Sequence, residues 1–80
     1  MNLNNKTLLI TGGTGSFGKN FINYLLKNHS NFKKIIIFSR DELKQYEIKK
    51  TLIKNKFFSK LRFFLGDVRD YQRLLIAFKN

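Results

Sequence analysis

The chain has no cysteine, no proline and no tryptophan, one histidine, and five acidic side chains among its 80 residues. Without cysteine there is no disulfide framework, no thiolate metal site and no thiol nucleophile, and His29 alone cannot build a histidine cluster. The expected metal content is none. No Pro-, Gly- or Ser-rich stretch forms a linker, and neither an internal repeat nor a low-complexity tract occurs, so a single unit is expected. No window approaches the roughly 18 uninterrupted apolar residues that a membrane span requires. The start MNLNNKTLL lacks a basic segment followed by an apolar signal core. These absences lead to the expectation of a cytoplasmic chain with no membrane partner.

What is present is enough to fold. Hydrophobic residues make up 42% of the chain, nine of them phenylalanine, which is globular composition. A domain of this size hides only about two-thirds of the surface its unfolded chain exposes, so the core must be thin. The formal charge of +11 would suit a small basic module that binds nucleic acid or another anion. Lysine and arginine are nevertheless scattered from Lys6 to Lys79 in runs no longer than two, the pattern of a solvated lysine-rich surface, and no nucleic-acid partner is expected.

Periodicity divides the chain into alternating elements. Lys6 to Thr11, KTLLIT, is a short apolar run of the buried-strand kind. Phe17, Phe21, Ile22, Leu25 and Leu26 share one face of a helix from about Ser16 to Asn28. Lys34 to Phe38 gives a second strand rich in β-branched residues. SRDE then reads as a capping box, with Ser39 accepting from the Glu42 amide and Glu42 reaching back to the Ser39 amide. A helix from Asp41 to about Asn55 follows, with Leu43, Tyr46, Ile48, Leu52 and Ile53 at its apolar positions. Leu61 to Leu65 is a third strand, stopped by Gly66. Asp70 is placed to cap a third helix carrying Tyr71, Leu74, Leu75 and Phe78.

The order βαβαβα implies an α/β fold with a parallel sheet and right-handed crossovers. It corresponds to the first half of a doubly wound Rossmann sheet, incomplete because strand one lacks the neighbour that the order 3-2-1-4-5-6 would give it. An uncovered apolar edge of that kind is one that folded proteins avoid, so marginal folding is expected.

Four of the five glycines fall within TGGTGSFG, Thr11 to Gly18, between the first strand and the first helix. Gly12, Gly15 and Gly18 form GxxGxxG, while Gly13, Gly15 and Gly18 satisfy GxGxxG. Gly12 allows a sharp turn off the strand, Gly15 lets the backbone approach a pyrophosphate, and Gly18 lets the helix pack closely. Free amides at the helix start then receive the phosphates, with Thr14 and Ser16 as added hydroxyl donors. A ligand-free turn would need only one glycine. A Walker A loop is excluded, because Lys19 is followed by Asn20 rather than Ser or Thr.

The choice of dinucleotide is made near the end of strand two, where NAD binders carry a carboxylate for the ribose 2'-hydroxyl. Here stand Ser39 and Arg40, with Lys44 a helical turn on, a set that suits a 2'-phosphate and favours NADP. NAD remains the alternative if Asp41 rather than Arg40 faces the ribose. At the end of strand three Asp67 can accept from an adenine amino group and Val68 can form an apolar wall, or the two can be an ordinary strand-end turn.

TGGTGSFGKNF, IIIFSRDELKQYE and LRFFLGDVRD together resemble the start of the extended short-chain dehydrogenase/reductases, specifically the inverting UDP-N-acetylglucosamine 4,6-dehydratases. The glycine motif specifies only the superfamily; SRDELKQ joined to RFFLGDVRD points to the subfamily. The resemblance implies that Thr14, Gly15, Ser16 and Phe17 line the pyrophosphate, and that Ser39, Arg40, Asp41, Glu42, Leu43 and Lys44 surround the ribose and its 2'-phosphate. Asp67 and Val68 would flank the adenine. It further implies a UDP-sugar substrate, oxidised at C4 by the cofactor, dehydrated across C5 and C6 and reduced at C6 with inversion at C5. The 4-keto-6-deoxy product would serve surface or flagellar glycans such as those containing pseudaminic acid, and the full-length enzyme would be a homo-oligomer.

Members of this family are several times longer and carry their Tyr-x-x-x-Lys pair and sugar site later in the chain. Residues 1–80 therefore read as the N-terminal part of an NAD(P)-binding domain with the substrate domain absent. Tyr46 and Lys50 match the pair's spacing but fall on the helix after strand two, away from any nicotinamide. No catalytic residue is assigned, and the chain alone is expected to lack dehydratase activity. A sugar-nucleotide epimerase of the same superfamily is the alternative reaction.

Overall fold

The computed structural model describes residues 2–12, 16–67 and 69–79. Strands and helices alternate as β1 (Thr7–Thr11), α1 (Ser16–Asn28), β2 (Lys34–Ser39), α2 (Glu42–Leu52), β3 (Leu61–Leu65) and α3 (Tyr71–Lys79), with a 3-10 turn at Phe58–Lys60 leading into β3. The strands form one parallel sheet in the order β1-β2-β3, with Leu9 opposite Ile36 and Ile37 opposite Phe63. This is the expected half of a doubly wound sheet.

Side chains of β2 alternate between two apolar layers. Ile35 and Ile37 face Ile22, Leu25 and Leu26 of α1 and Ile48 and Leu52 of α2, while Ile36 and Phe38 face Leu74 and Ala77 of α3. Helices α1 and α2 therefore share one face and α3 covers the other. With strands on both sides and helices on both faces, β2 is buried from Ile35 through Ser39. Among the described residues the two flanking strands each have a strand neighbour on one side only, and their middle residues are half-buried.

The start of α2 differs from the capping box expected at Ser39 and Glu42. Asp41 is the N-cap: its Oδ1 accepts from the Lys44 amide at 3.0 Å, and Ser39 Oγ accepts from the Asp41 amide at 3.0 Å. The reason is that β2 continues through Ser39, paired with Leu65. Ser39 is thus held in the sheet, and its hydroxyl reaches the amide two residues on rather than three.

The helix also stops at Leu52 rather than near Asn55, because Asn55 builds a turn. Its amide donates to the Leu52 carbonyl at 2.9 Å and its Oδ1 accepts from the Phe57 amide at 2.8 Å.

The inward stripe of α2 is Gln45, Ile48 and Leu52, whereas Leu43, Tyr46 and Ile53 are exposed. Gln45 earns its buried place by hydrogen bonding, since its Nε2 donates to the carbonyls of Ile37 at 3.2 Å and Phe64 at 2.9 Å. On α3, Asp70 caps as expected, its Oδ1 accepting from the Arg73 amide at 3.1 Å. Of the apolar positions expected there, Leu74 is half-buried, while Tyr71, Leu75 and Phe78 are exposed and the small Ala77 makes the close contact.

One of the many cations is structural. Lys60 Nζ donates to the carbonyls of Ser30 at 2.9 Å and Phe32 at 3.0 Å, and lies 4.9 Å above the Phe32 ring. It fastens the turn before β2 to the turn before β3. Among the described residues no helix is long and apolar enough to cross a membrane.

Candidate functional site

The three strands end side by side. Just past β1, the Gly12 amide donates to the Phe38 carbonyl at 3.1 Å, and just past β3 the Gly66 amide donates to the Ser39 carbonyl at 2.9 Å. A cavity of about 600 Å³ opens at these carboxyl ends. Thr11 and Gly12 line it from β1, Phe38, Ser39, Arg40 and Asp41 from β2, and Gly66, Asp67 and Arg69 from β3. This is where open α/β sheets bind their ligands.

Each glycine of this rim has a different reason to be one. Gly12 sits at φ +64° with nothing within 4 Å of where a Cβ would be, so its constraint is purely conformational. A side chain in this left-handed region costs about 1–2 kcal/mol. Gly66 is constrained by space, since a Cβ would lie 2.9 Å from Cγ of Arg73 and 3.0 Å from Cζ of Phe38. Arg73 is itself held there, its Nε donating to the Leu65 carbonyl at 2.7 Å.

Asp67 is the electrostatic centre of the rim. Its Oδ1 accepts from the Arg69 amide at 2.9 Å and from Arg69 Nε at 3.1 Å, and its Oδ2 lies 2.6 Å from Arg69 Nη2 and 3.5 Å from Arg40 Nη1. The Arg69 side-chain hydrogen bonds, then its backbone amide, hold this carboxyl well below the usual carboxylate range. Desolvation opposes them, and the charges of Arg69 and, least, of Arg40 add to the lowering. The pairing with Asp67 raises Arg69 in turn.

Because the folded pKa is depressed, the pairing contributes stability above the ordinary carboxylate value of about 3.9 and loses it as pH falls below that. In a carbon-13 NMR titration the Asp67 carboxyl is expected to keep its ionised shift down to about pH 3, where an unpaired carboxylate is mostly protonated. A midpoint near 4 would show that the arginines do not hold it in solution.

The residues anticipated from the sequence are distributed unevenly about this cavity. Gly12, Ser39, Arg40, Asp41 and Asp67 line it. Glu42, Leu43 and Lys44 form the first turn of α2 beside it, with exposed side chains, and Glu42 borders a neighbouring depression along β3 instead. Ser16 and Phe17 open α1, and Gly18 is buried within that helix. Gly13, Thr14, Gly15 and Val68 lie outside the described residues.

Tyr46, of the accidental Tyr-x-x-x-Lys spacing, borders the β3 depression and not the cavity. Arg69 was not anticipated. The available signal was a guanidinium two residues after a carboxylate in the turn GDVRD, a spacing at which the two can pair within one turn.

Residues 8–80 match the family described as polysaccharide biosynthesis protein. The chain is 51% identical over 77 residues to a UDP-N-acetylglucosamine 4,6-dehydratase (inverting) of Campylobacter jejuni, covering 96% of this chain and 22% of that protein. It is 49% identical over 71 residues to a UDP-glucose 4-epimerase of Rickettsia prowazekii, covering 86% and 20%. Among solved structures, Pen from Bacillus thuringiensis superposes with a TM-score of 0.78 at 31% identity, over 96% of this chain and 22% of that one. The chain thus spans about a fifth of the length of the relatives it matches.

Proposed function

The chain belongs to the polysaccharide biosynthesis protein family, and from that premise we propose that it is the NADP-binding part of an inverting UDP-N-acetylglucosamine 4,6-dehydratase. The observation that carries the cofactor reading is the rim at the end of β2. Where an NAD binder would present a carboxylate to the ribose, this chain has Ser39, whose hydroxyl is hydrogen-bonded to the Asp41 amide, and the exposed Arg40, both residues lining the cavity. The competing carboxylate, Asp41, has its Oδ1 engaged by the Lys44 amide as the cap of α2, which supports NADP over NAD.

The left-handed turn at Gly12 and the start of α1 at Ser16 supply the strand-to-helix geometry suited to a pyrophosphate. Gly13, Thr14, Gly15, Ser16 and Phe17 would follow the phosphates, with Gly18 packing the helix close. Glu42, Leu43 and Lys44 would flank the adenosine ribose, and Asp67 and Val68 the adenine end. When bound, the cofactor would accept a hydride from the sugar and return it. These residues orient it, and the residues that exchange protons with the sugar are not among them.

The dehydratase reading of the substrate rests on the Campylobacter relative, and the Rickettsia relatives support the epimerase as the second reading. Product mass separates them, because dehydration removes one water and epimerisation leaves the mass unchanged. With this reading we propose a place in the making of surface glycans, in the cytoplasm, by a homo-oligomer.

Calorimetric titration of the chain with NADP and with NAD tests the cofactor assignment. NADP is expected to bind at least about tenfold more tightly, the worth of one charge-assisted contact to the 2'-phosphate. Equal affinities, or tighter NAD, would reject it. The 80 residues alone are expected to give no turnover of UDP-N-acetylglucosamine, followed by the same mass measurement.

A further inference from the structure

Arg69 grips Asp67 with Nε at 3.1 Å from each carboxylate oxygen and Nη2 at 2.6 Å from Oδ2. Arg40 Nη1 reaches the same Oδ2 at 3.5 Å. Sharing one oxygen brings the two guanidinium groups within about 6 Å of each other, a separation that one phosphate group can bridge. Both side chains are largely solvent-exposed, at 73% for Arg40 and 81% for Arg69, so their outer donors remain open to a ligand.

Within the cluster, two guanidiniums on one carboxylate leave one positive charge in excess. Asp41, the other acid of the cavity wall, balances it in number, but its Oδ1 is taken up by the Lys44 amide. A phosphate monoester brings roughly −1.5 to −2 charge and three acceptor oxygens. Asp67, for its part, offers about four acceptor positions; three N–H groups of Arg69 occupy both its oxygens, and Arg40 pairs with Oδ2 at 3.5 Å. Besides flanking the adenine end, this carboxylate therefore orients the arginines. A flexible exposed arginine loses rotamer freedom when it binds, and one already fixed on a carboxylate loses less.

We infer that Arg69 is a second specificity-determining residue of the cavity, donating together with Arg40 to the 2'-phosphate of the dinucleotide, with Asp67 as the positioning residue for both. This rests on the reading of the cavity as an NADP site. Adenine is common to NAD and NADP, so a residue that serves the adenine alters both affinities, whereas one that serves the 2'-phosphate alters only NADP.

The test is a double-mutant cycle on the full chain, with Arg69→Gln, Asp67→Asn and the pair, each titrated calorimetrically with NADP and NAD. Arg69→Gln is expected to weaken NADP about tenfold and leave NAD within about twofold. In the Asp67→Asn background the same change is still expected to weaken NADP selectively, by at least about threefold. Circular dichroism should be unchanged, because both side chains lie at the surface.

If the selective loss vanishes in the Asp67→Asn background while Asp67→Asn alone leaves NADP binding unweakened, Arg69 merely neutralises Asp67 and the inference is overturned. Equal losses of NAD and NADP, or none, also overturn it. Failure of the unaltered chain to bind NADP rejects the cofactor reading itself, an outcome distinct from these because there the unaltered chain still binds.

Discussion

Arg40→Glu is expected to weaken NADP at least about a hundredfold, while NAD stays within about threefold or tightens. The change removes a guanidinium at the cavity wall and puts a carboxylate in its place. Loss of a charge-assisted hydrogen bond costs about 1.5–3 kcal/mol. Repulsion between the new carboxylate and a 2'-phosphate adds to it, and each 1.4 kcal/mol is tenfold in affinity. For NAD the sign reverses, since a carboxylate at the end of β2 can accept from the free 2'-hydroxyl. Paired calorimetric titrations decide the matter. A parallel fall in both affinities would mean that Arg40 serves the fold rather than the phosphate, and an unaltered NADP affinity would place the phosphate elsewhere.

The largest effect on stability is expected at a residue far from any ligand. Gln45→Ala should destabilise the chain by about 3 kcal/mol, from two lost hydrogen bonds and the void left by the side chain. Gln45 is 6% exposed and its single amide group bridges carbonyls of β2 and β3, so the change loosens α2 from the sheet at the seam between two strands. Total stability of about 0.05–0.15 kcal/mol per residue is usual, so the loss is a large part of what an 80-residue chain has. Alanine is the better helix former, so weakened helix propensity cannot account for the result. Urea midpoints of Gln45→Ala and the near-isosteric Gln45→Met would divide the loss between void and hydrogen bonds. A midpoint unmoved in both would show that the bridge contributes nothing.

Which of these features were legible beforehand follows from how local their causes are. The alternation of apolar strands and amphipathic helices is written in neighbouring residues, as in KIIIFS and in the spacing of Ile22, Leu25 and Leu26, and element order followed from it. The same is true of the turn at Gly12 and the cap at Asp70, each set by the backbone within a few residues. The cap of α2, by contrast, is not decided locally. Ser39 and Asp41 are both good N-caps, and the choice was made by how far β2 pairs with β3, a matter between strands 26 residues apart in register.

The sequence by itself determined the parallel α/β class, the glycine-rich turn after β1 and the basic end of β2, because each depends on the residue types of one short segment. Only the tertiary structure decided which side chains of α2 and α3 face inward. A sheet of three strands offers a narrow surface, so Gln45 and Ala77 are taken in while Leu43, Tyr46, Tyr71 and Phe78 stay outside. The meeting of Arg40 with the Asp67–Arg69 pair is tertiary in the same sense. Their segments are joined through the ladder between β2 and β3, and a contact across that ladder has no signature in either segment alone.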